Sequence, residues 1–250
     1  MREDIKVNKE DKVKIEKKED AFKPAVEVIK GEDIKTKINI IHILDGSGSM
    51  KGSKFNNALI GMRNEVKELT DVSIKEGIDY TYSVIEFDSY NRIQTICSLV
   101  DIHKLNMDDL KFFQPEGMTA LYDAIGNTLV NYSDIFNSTE ALSKEKVIIK
   151  IFTDGGENNS RSKWVHGVEL SRLIQKCEKK GWVITFIGTN NDVKNIINRL
   201  KISENNTLSY DGSAQGLQSS YQTVNKATIA YSKSVMRGTA DNLNFFNNKK

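Results

Sequence analysis

The residues of this chain best suited to chemistry are Asp45, Ser47 and Ser49, within Ile40–Phe55, IIHILDGSGSMKGSKF. An apolar run stops at an aspartate, and two hydroxyls follow at alternate positions. One carboxylate and two hydroxyls facing one point make a hard, oxygen-rich half-shell. Mg²⁺ suits such donors and keeps waters and an open position, and Mn²⁺ accepts the same set. Neutral hydroxyls leave a divalent cation under-neutralised, so it retains an appetite for an outside carboxylate. Gly46 and Gly48 are expected to let the loop curl tightly around the ion.

Three other chemistries of a strand–turn–helix loop fail on spacing. A phosphate-cradling G-x-x-x-x-G-K-[ST] needs Gly at its sixth position, but counting from Gly46 that position is Lys51, and from Gly48 it is Ser53. The dinucleotide fingerprint G-x-G-x-x-G misses by one residue, with Lys51 where Gly52 would be needed. No frame gives the nucleophile elbow G-x-S-x-G. A phosphoaspartate site would want a second carboxylate two residues after Asp45, where Ser47 stands.

The elements that must position the loop follow from periodicity. INIIHIL, from Ile38, is a continuous apolar run of the kind found in strands buried on both faces. Phe55, Ala58, Leu59, Met62, Val66 and Leu69 recur at helical spacing over 54–75. Strands are expected at 80–87, 92–100, 146–152, 182–187 and 207–210, with helices at 121–136, 162–180, 192–200 and 213–237. The short link DSYN predicts that the 92–100 strand returns antiparallel. Alternating strands and helices define an α/β class: a Rossmann-like, doubly wound, mostly parallel sheet with one antiparallel edge strand and helices on both faces.

Ligands of open α/β sheets bind outside the carboxyl ends of the strands. The completing donors should therefore come from neighbouring strand ends. EGMTALYDAI places Thr119 in a glycine-containing loop before a helix, and KVIIKIFTDGGENNS ends a buried strand in Thr153, Asp154 and Gly155. With these pieces in order, the chain resembles the von Willebrand factor A domain, whose metal ion-dependent adhesion site reads D-x-S-x-S, then T, then D. Asp45, Ser47 and Ser49 match the first motif, Thr119 the loop threonine and Asp154 the second aspartate. The resemblance covers about residues 37–237 and lies nearest the intracellular bacterial and phage-type members, because TDGGENNS stands without any disulfide. Gly156 departs from the acidic residue common there. The resemblance implies metal-dependent protein binding without catalysis. The serines, and often the threonine, would touch Mg²⁺ (Mn²⁺ or Ca²⁺ as alternatives), the aspartates would act directly or through water, and a partner's Asp or Glu would supply the last ligand. It also implies that the loop threonine moves between low- and high-affinity states.

Bland roles are expected for the remaining candidates. His42, inside the first strand, reads as a hydrogen-bonded core histidine; His103 and His166 read as surface residues. Asp88 reads as a cap or turn, and Glu157 and Asn158 as orienters of water or caps of a helix starting near Ser162. Asp123 suits a helix N-terminus. Cys97 and Cys177 read as buried thiols, and Trp164 and Trp182 as packing residues.

The 250 residues suffice for a large core, and a net charge of +2 supports neither a strong nucleic-acid field nor a membrane field. Two cysteines without a CxxC pair argue against a disulfide framework and for a reducing compartment. No apolar run approaches the roughly 20 residues of a membrane helix, and the charged N-terminus lacks a secretory h-region. A cytoplasmic protein is expected, with residues 1–36 as a charged, flexible arm, 37–238 as the domain and 239–250 as a tail, loose except for docking by Phe245 and Phe246. Two other functions compete with metal-dependent capture of an acidic partner. A metal-dependent hydrolase or phosphatase would need a general base near the open position. An assembly component could dock through the arm, whose mixed charge argues against nucleic acid.

Overall fold

The computed structural model describes residues 36–143 and 145–247. Residues 1–35 of the arm lie outside the described residues. A six-stranded sheet runs in the order β3-β2-β1-β4-β5-β6. Its strands are β1 (Lys37–Asp45), β2 (Asp79–Phe87), β3 (Ile93–Asp101), β4 (Lys146–Phe152), β5 (Val183–Thr189) and β6 (Thr207–Tyr210). All neighbours are parallel except β2 and β3. That pair is joined by a link too short for a crossover, so the return is antiparallel at the edge, as its length predicts.

β1 is central, pairing with β2 on one side and β4 on the other. It is buried on both faces, which is why its sequence is apolar without alternation. Ile38, Ile40 and Leu44 face one core together with Phe55, Met62 and Leu69 of α1 (Ser53–Glu76) and Leu217, Tyr221 and Val224 of α6 (Ala214–Met236). Ile41 and Ile43 face a second core with α2 (Leu121–Phe136), α4 (Val168–Lys179) and α5 (Asn190–Leu200). A single turn, α3 (Glu140–Ser143), precedes β4. Trp164 and Trp182 are buried in the second core, and Cys177 with them, whereas Cys97 is only half-buried on β3.

The fourth helix begins later than the apolar spacing predicts, at Val168 instead of near Ser162. The break falls at Gly167, whose left-handed φ of 75° no α-helix accommodates. Asp123 of α2 accepts the backbone N–H of Arg161 at 2.8 Å and both N–H and hydroxyl of Ser162, the latter at 2.5 Å. Those bonds tie the turn at 161–162 to α2, and the helix starts only after Gly167, its N-cap. The tail is less loose than its composition suggests. Phe245 is completely buried beside Tyr231, Phe246 stacks on it edge-on, and Asn206 donates to the carbonyl of Asn242 at 2.8 Å.

Candidate metal centre

The end of β1, the loop before α2 and the end of β4 meet at the carboxyl edge of the sheet. The strand order changes direction between β1 and β4, which is where open α/β sheets leave a crevice. Asp45 is the last residue of β1 and has no solvent exposure. One of its oxygens accepts the backbone N–H of Ser47 at 2.7 Å, and the other accepts the hydroxyl of Thr153, which follows β4. Burial pushes the Asp45 carboxyl up to about 6; the bonds from Thr153 and Ser47 oppose the rise, and the charge of Asp154 adds to it.

The hydroxyls of Ser47 and Ser49 lie 3.1 Å apart, and Ser49 donates to Asp154 Oδ1 at 2.6 Å. A methyl group built on Gly155 would stand 3.6 Å from both Ser49 Oγ and Thr119 Oγ1, so these two hydroxyls flank one point. All five residues proposed from the sequence, Asp45, Ser47, Ser49, Thr119 and Asp154, thus converge on one edge of the sheet. Gly46 and Gly48 serve differently from expectation. Neither has positive φ. They are glycines because neighbours come close: a side chain on Gly46 would meet Phe113 at 2.6 Å, and one on Gly48 the carbonyl of Gly117 at 3.3 Å.

The Thr119 loop is locked by groups that the sequence reading assigned elsewhere. Asn158 accepts the Thr119 N–H at 2.8 Å and returns its own N–H to the Thr119 carbonyl at 3.0 Å. Glu157 accepts N–H groups from Tyr122 at 2.7 Å, Asn159 at 2.9 Å and Ser160 at 2.7 Å, and the Ser160 hydroxyl at 2.6 Å. It therefore caps α2, the helix behind Thr119, and not α4. Asp88 is buried; its carboxylate accepts the Ser89 N–H, pairs with Arg92 at 3.3 Å, and its backbone carbonyl accepts the Ala120 N–H at 2.6 Å.

One residue was missed. Lys54, second in α1, places its ammonium on Asp154 Oδ2, so Ser49 and Lys54 hold one oxygen each. Its partner lies 100 residues away, and no local signal announces it. The only cue is negative: the first turn of α1 carries a lysine and no acidic residue, against the preference of a helix N-terminus.

The donor set fits a hard divalent cation. Every candidate ligand atom is a carboxylate or hydroxyl oxygen, and the ammonium of Lys54 already stands on the set as a cation would. A second polar cluster lies deeper, in the core under α1. Glu65 accepts Tyr82 Oη at 2.9 Å, His42 Nε2 at 2.6 Å and the Lys150 ammonium. His42 is thus the core histidine its position suggested. Burial lowers its pKa and favours the neutral form, so Nε2–H donates; Nδ1 has no partner among the described residues, and the ring stacks with Tyr82, Phe152 and Tyr221.

A model of the von Willebrand factor type A domain matches residues 39–226. The chain belongs to that family. No curated protein sequence matched it. Among solved structures it is similar to proximal thread matrix protein 1 from the mussel byssus. In the structure described as having a zinc-occupied metal ion-dependent adhesion site, identity is 18%, the TM-score is 0.53, and 78% of this chain matches 46% of the other. It is also similar to the pilus adhesin SpaC from Lactobacillus rhamnosus GG in its open conformation, with 13% identity, a TM-score of 0.57 and coverage of 80% of this chain against 30% of the other. These likenesses establish the fold. The chain spans less than half the length of either. Among the described residues no helix is long and apolar enough to cross a membrane.

Proposed function

We propose that this von Willebrand factor A domain is a non-catalytic binding module whose divalent cation captures an acidic side chain of a partner protein. The observation that carries the reading is the convergence of two aspartates and three hydroxyls, from three separate segments, on the carboxyl edge of the sheet. The mussel protein with zinc in its adhesion site supports metal binding by this fold. Mg²⁺ is the proposed ion, with Mn²⁺ or Ca²⁺ as substitutes.

In this reading Ser47, Ser49 and Thr119 offer hydroxyl oxygens, and Asp45 and Asp154 supply the negative charge. The bound ion would supply Lewis acidity toward a carboxylate oxygen of the partner. The chain's own residues do the rest. The bond from Thr153 and that from the Ser47 N–H fix the orientation of Asp45. Glu157 and Asn158 hold the Thr119 loop against the end of β4. Hydrolysis has less support. His42 is sealed in the core on Glu65, and His103 bonds to Ser73 in the last turns of α1, so neither is available as a base at the site. The module is proposed to span residues 37–238 and to work inside the cell, where its two free cysteines stay reduced.

The test is capture of partners from a lysate of the source cell in Mg²⁺ buffer, with and without chelator, alongside Asp45→Ala. Binding lost in both the chelated and the substituted samples supports the reading. Capture that survives both contradicts it.

A further inference from the structure

We infer that Lys54 makes the metal and the partner's carboxylate depend on one another. The inference rests on the metal-binding reading above. Its observation is the ion pair between Lys54 and Asp154, one of the two aspartates of the site. Asp154 is fully shielded, whereas the Lys54 side chain keeps 28% of its surface in solvent. The cation therefore stands between the site and the outside.

Charge decides what it does. Asp45 and Asp154 together match the charge of a divalent ion, so with those two alone a loaded site would be formally neutral, and only its open coordination position would draw an anion. Lys54 adds one positive charge. In the metal-free protein that charge is spent on Asp154. Once an ion lies beside Asp154, the ammonium and the ion share the same carboxylate and repel each other. Lys54 therefore weakens metal binding. It also leaves the loaded site one positive charge in excess, which a single carboxylate from outside neutralises. The ammonium, on a flexible four-carbon stem, can turn outward to meet that carboxylate.

The position of the residue supports the assignment. A lysine in the first turn of a helix faces the positive end of the helix dipole, and α1 has no acidic residue there to relieve it. Local helix stability does not explain the residue, but the service of Asp154 does. Because coupling of two binding events is reciprocal, whatever the carboxylate adds to metal affinity the metal adds to carboxylate affinity.

The experiment is a Mn²⁺ titration followed by electron paramagnetic resonance on the full chain, with and without acetate at constant ionic strength. Wild type, Lys54→Met and Lys54→Arg are compared, each shown to be folded by circular dichroism. Lys54→Met is expected to bind Mn²⁺ about tenfold more tightly than wild type, a change of about 1.4 kcal/mol. Acetate should tighten Mn²⁺ binding several-fold in wild type and Lys54→Arg and markedly less in Lys54→Met. A purely structural lysine would give the opposite sign, with weaker Mn²⁺ binding in Lys54→Met. Equal or weaker binding by a folded Lys54→Met overturns the inference and leaves the metal reading standing. Absence of Mn²⁺ binding by wild type overturns both.

Discussion

Two clusters in this molecule pair a carboxylate with a lysine, and they are built for opposite ends. In the core, Glu65 receives Lys150, His42 and Tyr82, and all four side chains are at most 2% exposed. At the sheet edge, Asp154 receives Ser49 and Lys54, and the hydroxyls of Ser47 and Thr119 stand beside it. The core set is closed: Glu65 holds all three of its donors inside protein, and its side chains are sealed from solvent. The edge set is open. Its cation is half-exposed, and the same oxygens that bond one another can turn to an ion. A buried ion pair is thus read by asking who can leave it. Lys150 cannot leave Glu65 without stranding a charge, whereas Lys54 can leave Asp154.

The sharpest way to break the comparison is to remove each lysine in turn. Lys150→Met leaves Glu65 as an uncompensated buried charge, which typically costs about 3–5 kcal/mol. In a chain of this size that corresponds to a fall of about 10 °C in melting temperature by scanning calorimetry. Lys54→Met should move the melting temperature far less, because its ion pair is partly solvated.

Metal addition comes next in size. Saturation with Mg²⁺ at about 100 times its dissociation constant should stabilise the wild type by about 2.7 kcal/mol, a thermal shift reversed by chelator. Asp45→Ala should fold normally and show no shift. The core set should be indifferent to metal throughout.

The two clusters also predict opposite responses to pH. Burial alone would raise Glu65, but the charge of Lys150, with the bonds from His42 and Lys150, holds it at about 2, below its ordinary 4.5. Its stabilisation is complete above pH 4.5 and is lost as pH falls toward 2. Asp45 is raised from 3.8 to about 6, so the metal-free protein gains stability from this group as pH falls from 6 toward 4. The difference in stability between wild type and Asp45→Ala, followed in chelator from pH 7 to 4, isolates that term. Wild type should gain relative to the variant as pH drops. With metal present the same group makes ion affinity fall below pH 6, since the proton must leave before the ion binds.

The smallest effect expected is that of Thr119→Ala. It removes one neutral oxygen and none of the charge, so Mn²⁺ affinity should fall by about tenfold, the cost of one hydrogen-bond-sized interaction. The loop itself should hold, because Asn158 bonds the backbone of Thr119 and not its side chain.

Much of this was legible in the chain itself. The buried strands followed from apolar runs such as INIIHIL and KVIIKIF, whose lack of alternation marks burial on both faces. The five oxygen-bearing residues could be proposed because three short motifs, each an ordinary turn by itself, stand in order on an alternating α/β pattern. Most of what escaped was non-local. The start of α4 was misplaced because Gly167 takes a left-handed φ of 75°, which no α-helix accommodates, and apolar spacing does not register that break. Lys54 was overlooked because a lysine at the start of a helix looks like a solvated surface residue until Asp154 is folded against it. The glycines of the first loop were assigned conformational freedom when the constraint was proximity to Phe113 and Gly117, residues brought near only by the tertiary fold.

The central claim is that Asp45, Ser47, Ser49, Thr119 and Asp154 form one divalent-cation site. It is tested most directly by calorimetric titration of Mn²⁺ into wild type and Asp45→Ala at pH 7. The account predicts one saturable site in wild type, displaced by Mg²⁺, and none in the variant, with both proteins folded. Mn²⁺ binding of equal strength in the two proteins would contradict it.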